Sequence, residues 1–370
     1  MRRLLAVGPA LDRSSYARVV ESTLAAWPET WEIRQIAVNH RGDPVDGGWP
    51  ILPNPNIGDR YAIEQIAPAV SSSEPDAIFV FNSFLNLPRY WRLPSILGDR
   101  RPLLVAQCPM LGEAIDPHLV GRLAFFDCVV VLSEVVRRHM AQCFEICLRD
   151  GSIDRVPRLA VIPHGIDAAL FHPAGDRQAS RNHFAALRNL PRDSFIVLNA
   201  NRNEPRKRID ITREGFARFA ANKPANVFLH LHDGRGLDDA ELNHLYNACD
   251  VGLNTAAAEG WGMISFEHAA TGAAQIVPGG WVCGKTWGEN AELLDMTPED
   301  DAGGRYTRAS APSAQSVADA LERLYCDPEH RAVMAARAMA FANRPEFQWK
   351  GVAARWDALL GELIPTPPRR

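Results

Sequence analysis

The sequence predicts an α/β protein of two domains, each built around a doubly wound parallel sheet. Three observations support this prediction. The chain has 370 residues, enough for two domains of ordinary size that each bury a core. Short apolar strand patterns alternate with helix patterns in both halves, as parallel strands joined by helical crossovers require. Residues 174–190, between the halves, are small, polar and charged, which is typical of a linker with a short helix.

The expected boundaries follow from these patterns. We expect an N-terminal domain at 1–173, a linker at 174–190, a second domain at 191–345, and a C-terminal helix and tail at 346–370. Strand patterns lie at 4–7, 31–38, 76–81, 103–108, 128–132, 158–162, 195–199, 227–232, 250–254 and 274–278. Helix patterns lie at 14–27, 61–70, 239–248, 313–325, 328–343 and 347–363, and loops are expected at 39–59 and after 278. In such sheets, ligands lie beyond the carboxyl ends of the strands.

Composition and charge exclude several classes of protein. No stretch approaches the roughly 18 apolar residues of a membrane-spanning helix, and the N-terminal apolar run is too short for a signal peptide, so we expect a cytoplasmic protein. The net charge is −4, with no domain-wide basic field for nucleic acid or membranes. The seven cysteines are scattered and odd in number, which favours reduced core thiols over a disulfide framework or a zinc site.

Residues 250–272 carry the strongest chemical signal. A short buried strand and a loop of small residues lead to Glu259-Gly260-Trp261-Gly262, and a helix pattern follows. A helix N-terminus presents backbone N–H groups to an anion, and the glycines allow close approach. Glu259 and Glu267 repel an anion but suit the neutral hydroxyls of a sugar or a ribose. The combination predicts a nucleotide-sugar site; the alternative is a buried strand, turn and helix with two capping acids.

Glu259 and Glu267, with seven residues between them, resemble the Glu-x7-Glu signature of retaining glycosyltransferases with the GT-B fold, family 4 in particular. The resemblance implies that Glu259 contacts hydroxyls of the transferred sugar and that Glu267 holds the ribose. It also implies two Rossmann-like domains facing a cleft and a C-terminal helix that crosses back to the first domain; a plain amphipathic surface helix is the alternative. The implied donor-binding residues that face the sugar and phosphates through backbone amides are Gly260, Trp261, Gly262, Met263 and Ile264.

A cationic run follows the strand at 195–199. Three consecutive cations, at 206–208, precede a predicted helix, where each opposes the helix dipole by roughly 0.3–1 kcal/mol when exposed. A bound anion removes this conflict, so a diphosphate site is favoured over a solvated charge run. Family 4 enzymes carry a similar Arg and Lys on the donor diphosphate, and the resemblance therefore assigns Arg202 and Lys207 to catalysis beside Glu259. We expect Arg206 and Arg208 on the surface.

The first half departs from the family pattern at two loops. The first loop lacks the paired glycines of many relatives; Ser14 and Ser15 are acceptor-side candidates there, with helix capping as the alternative. The loop after residue 107 lacks the histidine that many relatives place there. Glu113 is an acceptor-side candidate in that loop, with an ordinary surface acid as the alternative. Residues 161–167 resemble the end of the family's first domain, and His164 is a weak donor-site candidate.

These features together predict a retaining, hexosyltransferase-type glycosyltransferase that uses a nucleotide-diphosphate sugar and needs neither a cofactor nor a metal. The sequence has no Asp-x-Asp pair. Residues 233–238 stand where relatives insert a helix and a strand, so either the pocket for the nucleotide base is trimmed or its edge comes from elsewhere. The acceptor classes left open are a glycan, a lipid-linked sugar, a small metabolite, a protein or a modified nucleic acid. The alternative functions are a GT-B nucleotide-sugar epimerase or phosphorylase, and a non-catalytic sugar-nucleotide-binding protein.

Overall fold

The computed structural model describes residues 1–12, 14–99, 101–233, 236–299 and 306–364. The chain divides into two compact units. The first comprises Met1–Met110, Asp116–Gly165 and Trp349–Arg370, and the second comprises Leu111–Ile115 and Ile166–Gln348. The short segment Leu111–Ile115 therefore belongs with the second unit, although both of its sequence neighbours belong with the first. Part of the predicted base-pocket segment, at 234–235, and the tail at 365–370 lie outside the described residues.

The first unit contains one sheet with helices around it. Its elements are β1 (Arg2–Gly8), α1 (Ser15–Ala25), β2 (Trp31–Ala37), β3 (Val45–Asp46), β4 (Pro50–Pro53), α2 (Ile63–Ser73), β5 (Ala77–Phe81), α3 (Leu93–Leu97), β6 (Leu103–Gln107), then, past the strand β7 (Glu113–Ala114) of the second unit, α4 (Pro117–Gly121), β8 (Cys128–Val131), α5 (Glu134–Arg149) and β9 (Arg158–Val161). The strand order is β3-β4-β2-β1-β5-β6-β8-β9. All pairs are parallel except β3 with β4.

The apolar strand runs explain this sheet. Every residue of β5 and β8 is buried, as expected for parallel strands covered on both faces. The loop expected at 39–59 contains β3 and β4, because Ile51 reaches the core beside Ala37. No helix within the described ranges is long and apolar enough to cross a bilayer.

The last helix, α13, packs on the first unit, as predicted. This helix spans Trp349–Leu363. Its Trp356 is fully buried, stacks on Trp27 with ring centroids 6.2 Å apart, and meets Phe79 edge-on at 4.9 Å. The Trp31 indole N–H donates to Asp357 at 2.7 Å. The C-terminal helix therefore crosses back, and the surface-helix alternative is wrong.

The second unit contains a parallel sheet with the order β11-β10-β12-β13-β14. Its elements are α6 (Arg177–Arg188), β10 (Phe195–Asn199), α7 (Ile209–Ala220), β11 (Val227–Leu231), α8 (Asp239–Ala248), β12 (Val251–Leu253), α9 (Met263–Ala270), β13 (Ala274–Pro278), α10 (Trp281–Trp287), β14 (Glu292–Leu294), β15 (Met296–Glu299), β16 (Thr307–Pro312), α11 (Ala314–Cys326) and α12 (Pro328–Ala342). The prediction of a loop after residue 278 is wrong for Trp281–Trp287, because these residues form α10. The strand order reverses between β10 and β12, which makes this the switch point of the sheet.

A small antiparallel sheet, β15-β16-β7, completes the second unit. In its ladder, Arg308 lies opposite Glu113 and Thr307 lies opposite Ala114. Gly112 precedes β7 because a Cβ atom there would collide with the backbone of Arg308. On its other side, the Ser310 N–H donates to the Ala257 carbonyl at 3.4 Å. The small sheet is thus fixed to the loop that follows β12.

Candidate functional site

Two loops meet at the switch point of the second sheet. Residues 200–208 follow β10, and residues 254–262 follow β12, its neighbour in the sheet. Both loops leave the carboxyl ends of parallel strands, where open α/β sheets bind their ligands. The sequence-predicted residues of the second half, Arg202, Lys207, Glu259 and the start of α9, all lie on or directly after these loops.

A buried chain of hydrogen bonds holds the two loops together. The Asn199 amide donates to the Thr212 hydroxyl oxygen at 2.8 Å, and this oxygen lies 2.6 Å from the hydroxyl of Thr255. The Thr255 hydroxyl points to the carbonyls of Lys207 and Arg208, each 3.0 Å away. The side chains of Asn199, Thr212 and Thr255 are all fully buried. Because buried polar groups without partners are costly, this network fixes the backbone that carries Lys207.

A second set of bonds fixes the loop after β12. The Asn254 side-chain oxygen accepts from the Ala256 N–H at 3.0 Å and faces the amide of Asn201 at 3.5 Å. The Ala257 N–H donates to the Arg206 carbonyl at 2.8 Å. The backbone before Glu259 is therefore as well determined as the backbone before Lys207.

Lys207 and Glu259 form a buried ion pair across the switch point. Only 9% of the Lys207 side chain and 12% of the Glu259 side chain are exposed. Arg206 lies 3.9 Å from the same carboxylate and donates to the Ala258 carbonyl at 3.1 Å. Burial opposes ionisation of Glu259, but the Lys207 and Arg206 charges outweigh it and lower the pKa of the carboxyl from its ordinary value. Glu259 is therefore a carboxylate at neutral pH.

The helix α9 begins beside this pair. Gly262 precedes its first residue with φ of 88°, a left-handed conformation that favours glycine. A glycine has no side chain to accept from the first N–H groups of the helix. These groups, which belong to Met263 and Ile264 among others, carry the positive end of the helix dipole. Both residues are partly exposed, so the first turn of α9 can face an anion.

Glu267 and Trp261 lie deeper in the unit. The Tyr246 hydroxyl, from α8, donates to the Glu267 carboxylate at 3.0 Å, and Glu267 is 4% exposed. Its neighbour His268 has a pKa lowered to about 3 by burial, and the neutral ring lies 3.1 Å from the Tyr246 carbonyl. The Trp261 ring stacks on Phe266 at 4.7 Å. The Trp261 side chain therefore belongs to the core, and its backbone is the part available to a ligand.

The cations after β10 are arranged differently from the sequence expectation. Arg202 is 56% exposed and pairs with Glu204 at 3.2 Å. Arg206 pairs with the same carboxylate at 3.1 Å but is only 24% exposed, so its expected place on the surface is wrong. The residues Pro205–Lys207 form a 3₁₀ turn. This turn directs Arg206 and Lys207 toward Glu259, and sequence spacing gave no signal for that direction.

Arg208, also expected on the surface, is less exposed than expected. Its side chain is 21% exposed and pairs with Asp210 at 2.9 Å. Asp210 lies in the first turn of α7, where a carboxylate is favourable to the helix dipole. Carboxylates of the protein itself therefore offset the unfavourable interaction between these cations and the dipole of α7. The start of α9, and not the start of α7, is the better place for an anion.

The first-unit candidates are placed as follows. The Ser14 hydroxyl caps α1 by accepting from the Ala17 N–H at 3.1 Å, and Ser15 is the first residue of the helix. His164 is buried, with its ring 3.5 Å from the Gln107 amide and 6.1 Å from the ring centroid of Phe81. Capping is therefore the observed role of Ser14, and acceptor contact by Ser14 and Ser15 stays a prediction.

A cavity of about 360 Å³ lies inside the second unit, beside Glu259. It is bounded by the loop after β12, the start of α10 and the small sheet, which contributes Glu113, Met296 and Arg308. Its volume falls within the range of small-molecule sites. Glu113, expected on the acceptor side of the first domain, thus lines the same cavity as Glu259 within the second unit. Sequence reasoning missed this wall because pairing of β7 with β16 is not local.

The same cavity contains one thiol. Cys283 is buried and lines it, and burial raises the pKa of the Cys283 thiol. The thiol is therefore neutral and unreactive at neutral pH. Among the described residues, no group of three or more His, Cys, Asp or Glu side chains is arranged to hold a metal ion.

Comparison with known proteins identifies the fold. A sucrose-phosphate synthase from Thermosynechococcus elongatus superposes with a TM-score of 0.70 at 17% identity, over 98% of this chain and 99% of that one. The fold is GT-B. A UDP-forming α,α-trehalose-phosphate synthase from Burkholderia xenovorans gives 0.71 at 14% identity, over 99% and 100%. Anabaena HepE, in complex with UDP-glucose, gives 0.69 at 15% identity, over 98% and 100%.

Comparison of the sequence alone identifies no family for this chain. No protein-family model and no curated protein matches this sequence. The predicted GT-B architecture is therefore confirmed by structure, and these neighbours are glycosyltransferases or a protein bound to a nucleotide sugar. Membership of family 4 stays a prediction that depends on the Glu259 and Glu267 spacing.

Proposed function

We propose that this protein is a retaining, metal-independent glycosyltransferase that moves a hexose from a nucleotide-diphosphate sugar to an acceptor hydroxyl. The observation that carries the proposal is the buried Lys207 and Glu259 pair at the switch point, between the start of α9 and a cavity of about 360 Å³. An ammonium and helix N–H groups suit a diphosphate, and a carboxylate beside a cavity suits sugar hydroxyls. Structural neighbours that use or bind UDP-sugars support the same chemistry.

The charges in this arrangement match those that develop in the reaction. When the sugar–phosphate bond breaks, negative charge grows on the diphosphate and positive charge grows at the anomeric carbon. Lys207 and the N–H groups at the start of α9 would stabilise the first, and the Glu259 carboxylate would stabilise the second. We assign Arg202, which is exposed and paired with Glu204, to the diphosphate as well. We assign Glu267 to the ribose, with its carboxylate oriented by the Tyr246 hydroxyl.

The proposed reaction needs no nucleophile from the protein. The acceptor hydroxyl oxygen bonds to the anomeric carbon on the face from which the phosphate departs, and its proton passes to the departing phosphate oxygen. The configuration at the anomeric carbon is then retained. Family 4, the retaining outcome and independence from metal all belong to this proposal, as do the assignments of Gly260 and Gly262 to the donor site.

A binding panel tests the first half of the proposal. Melting of the protein is followed with UDP, GDP and ADP and with the corresponding hexose conjugates. Stabilisation follows RT ln(1 + [L]/Kd), so a true donor at about 100 Kd adds about 2.7 kcal/mol to the free energy of unfolding. If no member of the panel changes the melting temperature, the proposed donor site is wrong.

A product analysis tests the second half. The donor identified by the panel is incubated with mixed acceptors in excess EDTA, and the anomeric configuration of the product is read by NMR. We expect transfer, or slow donor hydrolysis, with retained configuration and an EDTA-insensitive rate. An inverted product contradicts the mechanism, and tight binding without turnover under any acceptor supports a non-catalytic binding protein.

A further inference from the structure

One wall of the cavity carries two residues of opposite charge. Glu113 and Arg308 face each other across the ladder between β7 and β16, and both line the cavity. Directly opposed residues of an antiparallel pair place their side chains on the same face of the sheet. Gly112 makes this close approach of the two backbones possible. The ladder therefore fixes the backbone positions of both residues at this wall.

Carboxylates outnumber cations among the described residues that line the cavity. Among the described residues that line it, the charged ones are Glu113, Glu259 and Arg308. Lys207 and Arg206 lie beside the Glu259 carboxylate, whereas Arg308 occupies the ladder position opposite Glu113. A sugar that carries a carboxylate would therefore meet two protein carboxylates and one exposed guanidinium. Like charges brought together in a partly dehydrated site are strongly unfavourable.

Most of the remaining lining is apolar. It includes Pro278, Val282, Met296 and Pro298. Such surfaces suit the C–H faces of a sugar ring, whereas the adjacent Glu113 and Arg308 suit one hydroxyl that donates and another that accepts. A site built to bond hydroxyls discriminates strongly against analogues that lack them.

We infer that Glu113 determines sugar specificity at this site: opposed by Arg308, it selects a neutral hexose with adjacent free hydroxyls and rejects the corresponding uronate. The inference rests on the proposed function, because it concerns the sugar attached to the proposed diphosphate. It differs from the acceptor-side role expected for Glu113 from the sequence. Glu113 is a specificity residue contributed by a segment whose sequence neighbours belong to the other unit.

The test compares UDP, UDP-glucose and UDP-glucuronate by titration calorimetry, or GDP, GDP-mannose and GDP-mannuronate if the panel selects GDP. We expect the wild-type protein to prefer the neutral hexose by at least about tenfold, since like-charge contacts oppose the uronate. Glu113→Gln should leave affinity for the bare diphosphate within about twofold and lower this preference by about tenfold. Arg308→Gln should raise the preference, because it removes the cation from the described lining of the cavity and leaves the two carboxylates.

Two controls separate the possible outcomes. Glu329→Gln removes an exposed carboxylate at the start of α12 and should change no affinity. Melting temperatures of all variants show whether the fold is kept. If Glu113→Gln and Arg308→Gln lower the melting temperature but leave the hexose-to-uronate ratio unchanged, the pair is only structural and the inference is wrong while the proposed function stands. If the wild-type protein binds no diphosphate, both fail.

Discussion

The loops that follow β1 and β10 hold the same topological place in their two sheets, but their chemistry differs. Each leaves the first strand of its unit, where the strand order reverses. After β1, the Asn39 side chain holds the loop by accepting from the Ala10 N–H at 2.9 Å and donating to Asp12 at 2.8 Å. After β10, the loop brings Arg206 and Lys207 to a buried carboxylate.

The two loops have the same topological place but opposite charge, and we propose that this charge selects the ligand. In the first unit, Glu21 accepts from the Leu11 N–H at 2.7 Å and Ser14 caps α1, so acids and a hydroxyl already occupy the donors of that loop. In the second unit, a glycine precedes α9, and a lysine pairs with Glu259 in the loop before that helix. The first arrangement repels an anion and the second attracts one.

Removal of Lys207 should have the largest effect. Lys207→Met is expected to lower donor turnover by about 10²–10³-fold, because one charge that stabilises the leaving group is lost. It should also lower the free energy of unfolding by about 3–5 kcal/mol, because Glu259 is left buried with only the more distant Arg206. Turnover assays and urea unfolding measure the two quantities separately.

A matched control and a double variant sharpen that experiment. Lys350→Met removes an exposed lysine of the first unit and should change neither quantity beyond about 0.5 kcal/mol. Combining Lys207→Met with Glu259→Leu should recover much of the stability, because no buried charge is left unpaired, but none of the turnover. Wild-type turnover in Lys207→Met would show that the cationic loop has no catalytic role.

The pH dependence of stability tests the same pair. The pKa of Glu259 is lowered in the folded protein, so its stabilisation is fully present above the ordinary glutamate range and is lost as the pH falls through the lowered value. Glu259→Gln should cost about 3 kcal/mol at pH 7. The difference between the two proteins should shrink steadily in acid, as measured by urea unfolding from pH 7 to pH 3. A difference independent of pH would contradict the ion pair.

Arg206 and Arg202 should separate stability from binding. Arg206→Ala should cost about 1.5–3 kcal/mol, because a partly buried charge loses its bond to the Ala258 carbonyl. Arg202→Ala removes a largely exposed pair and should cost less than about 1 kcal/mol, while it weakens donor binding. Unfolding and calorimetric titration of both variants measure this. Equal stability costs at the two positions would contradict the inward direction of Arg206.

The smallest effect is expected at the corresponding place in the first unit. Ser14→Ala should cost about 1 kcal/mol through loss of the cap on α1, with donor binding and turnover unchanged. Thermal unfolding and an initial-rate assay measure the two quantities. Ser14→Asp, which keeps a capping oxygen, is the matched control and should restore stability. A large loss of turnover in Ser14→Ala alone would favour the acceptor-side role.

The elements predicted best are those whose sequence pattern lies within the element itself. The apolar runs of β10 and β13 and the pattern of α8 were predicted with the observed bounds. Each depends on residues within one element, where periodicity and burial agree. The placement of Lys207 and Glu259 on loops at the carboxyl ends of neighbouring strands followed from the same patterns.

Pairing between distant strands and the direction of short turns could not be predicted from the sequence pattern. The two-residue strand β7 pairs with β16, almost two hundred residues later, and its sequence has no periodicity to reveal the partner. The choice between Arg202 and Arg206 depends on a 3₁₀ turn of three residues. Adjacent cations cannot be sorted by spacing when one turn decides which of them faces the interior.

A crystal structure of the protein with the nucleotide sugar selected by the binding panel tests the central claim most directly. The account predicts that the diphosphate lies at the start of α9, within hydrogen-bond distance of the Lys207 ammonium and of the first N–H groups that follow Gly262. A nucleotide bound away from this helix, with the Lys207 and Glu259 pair undisturbed and the neighbouring cavity empty, would contradict it.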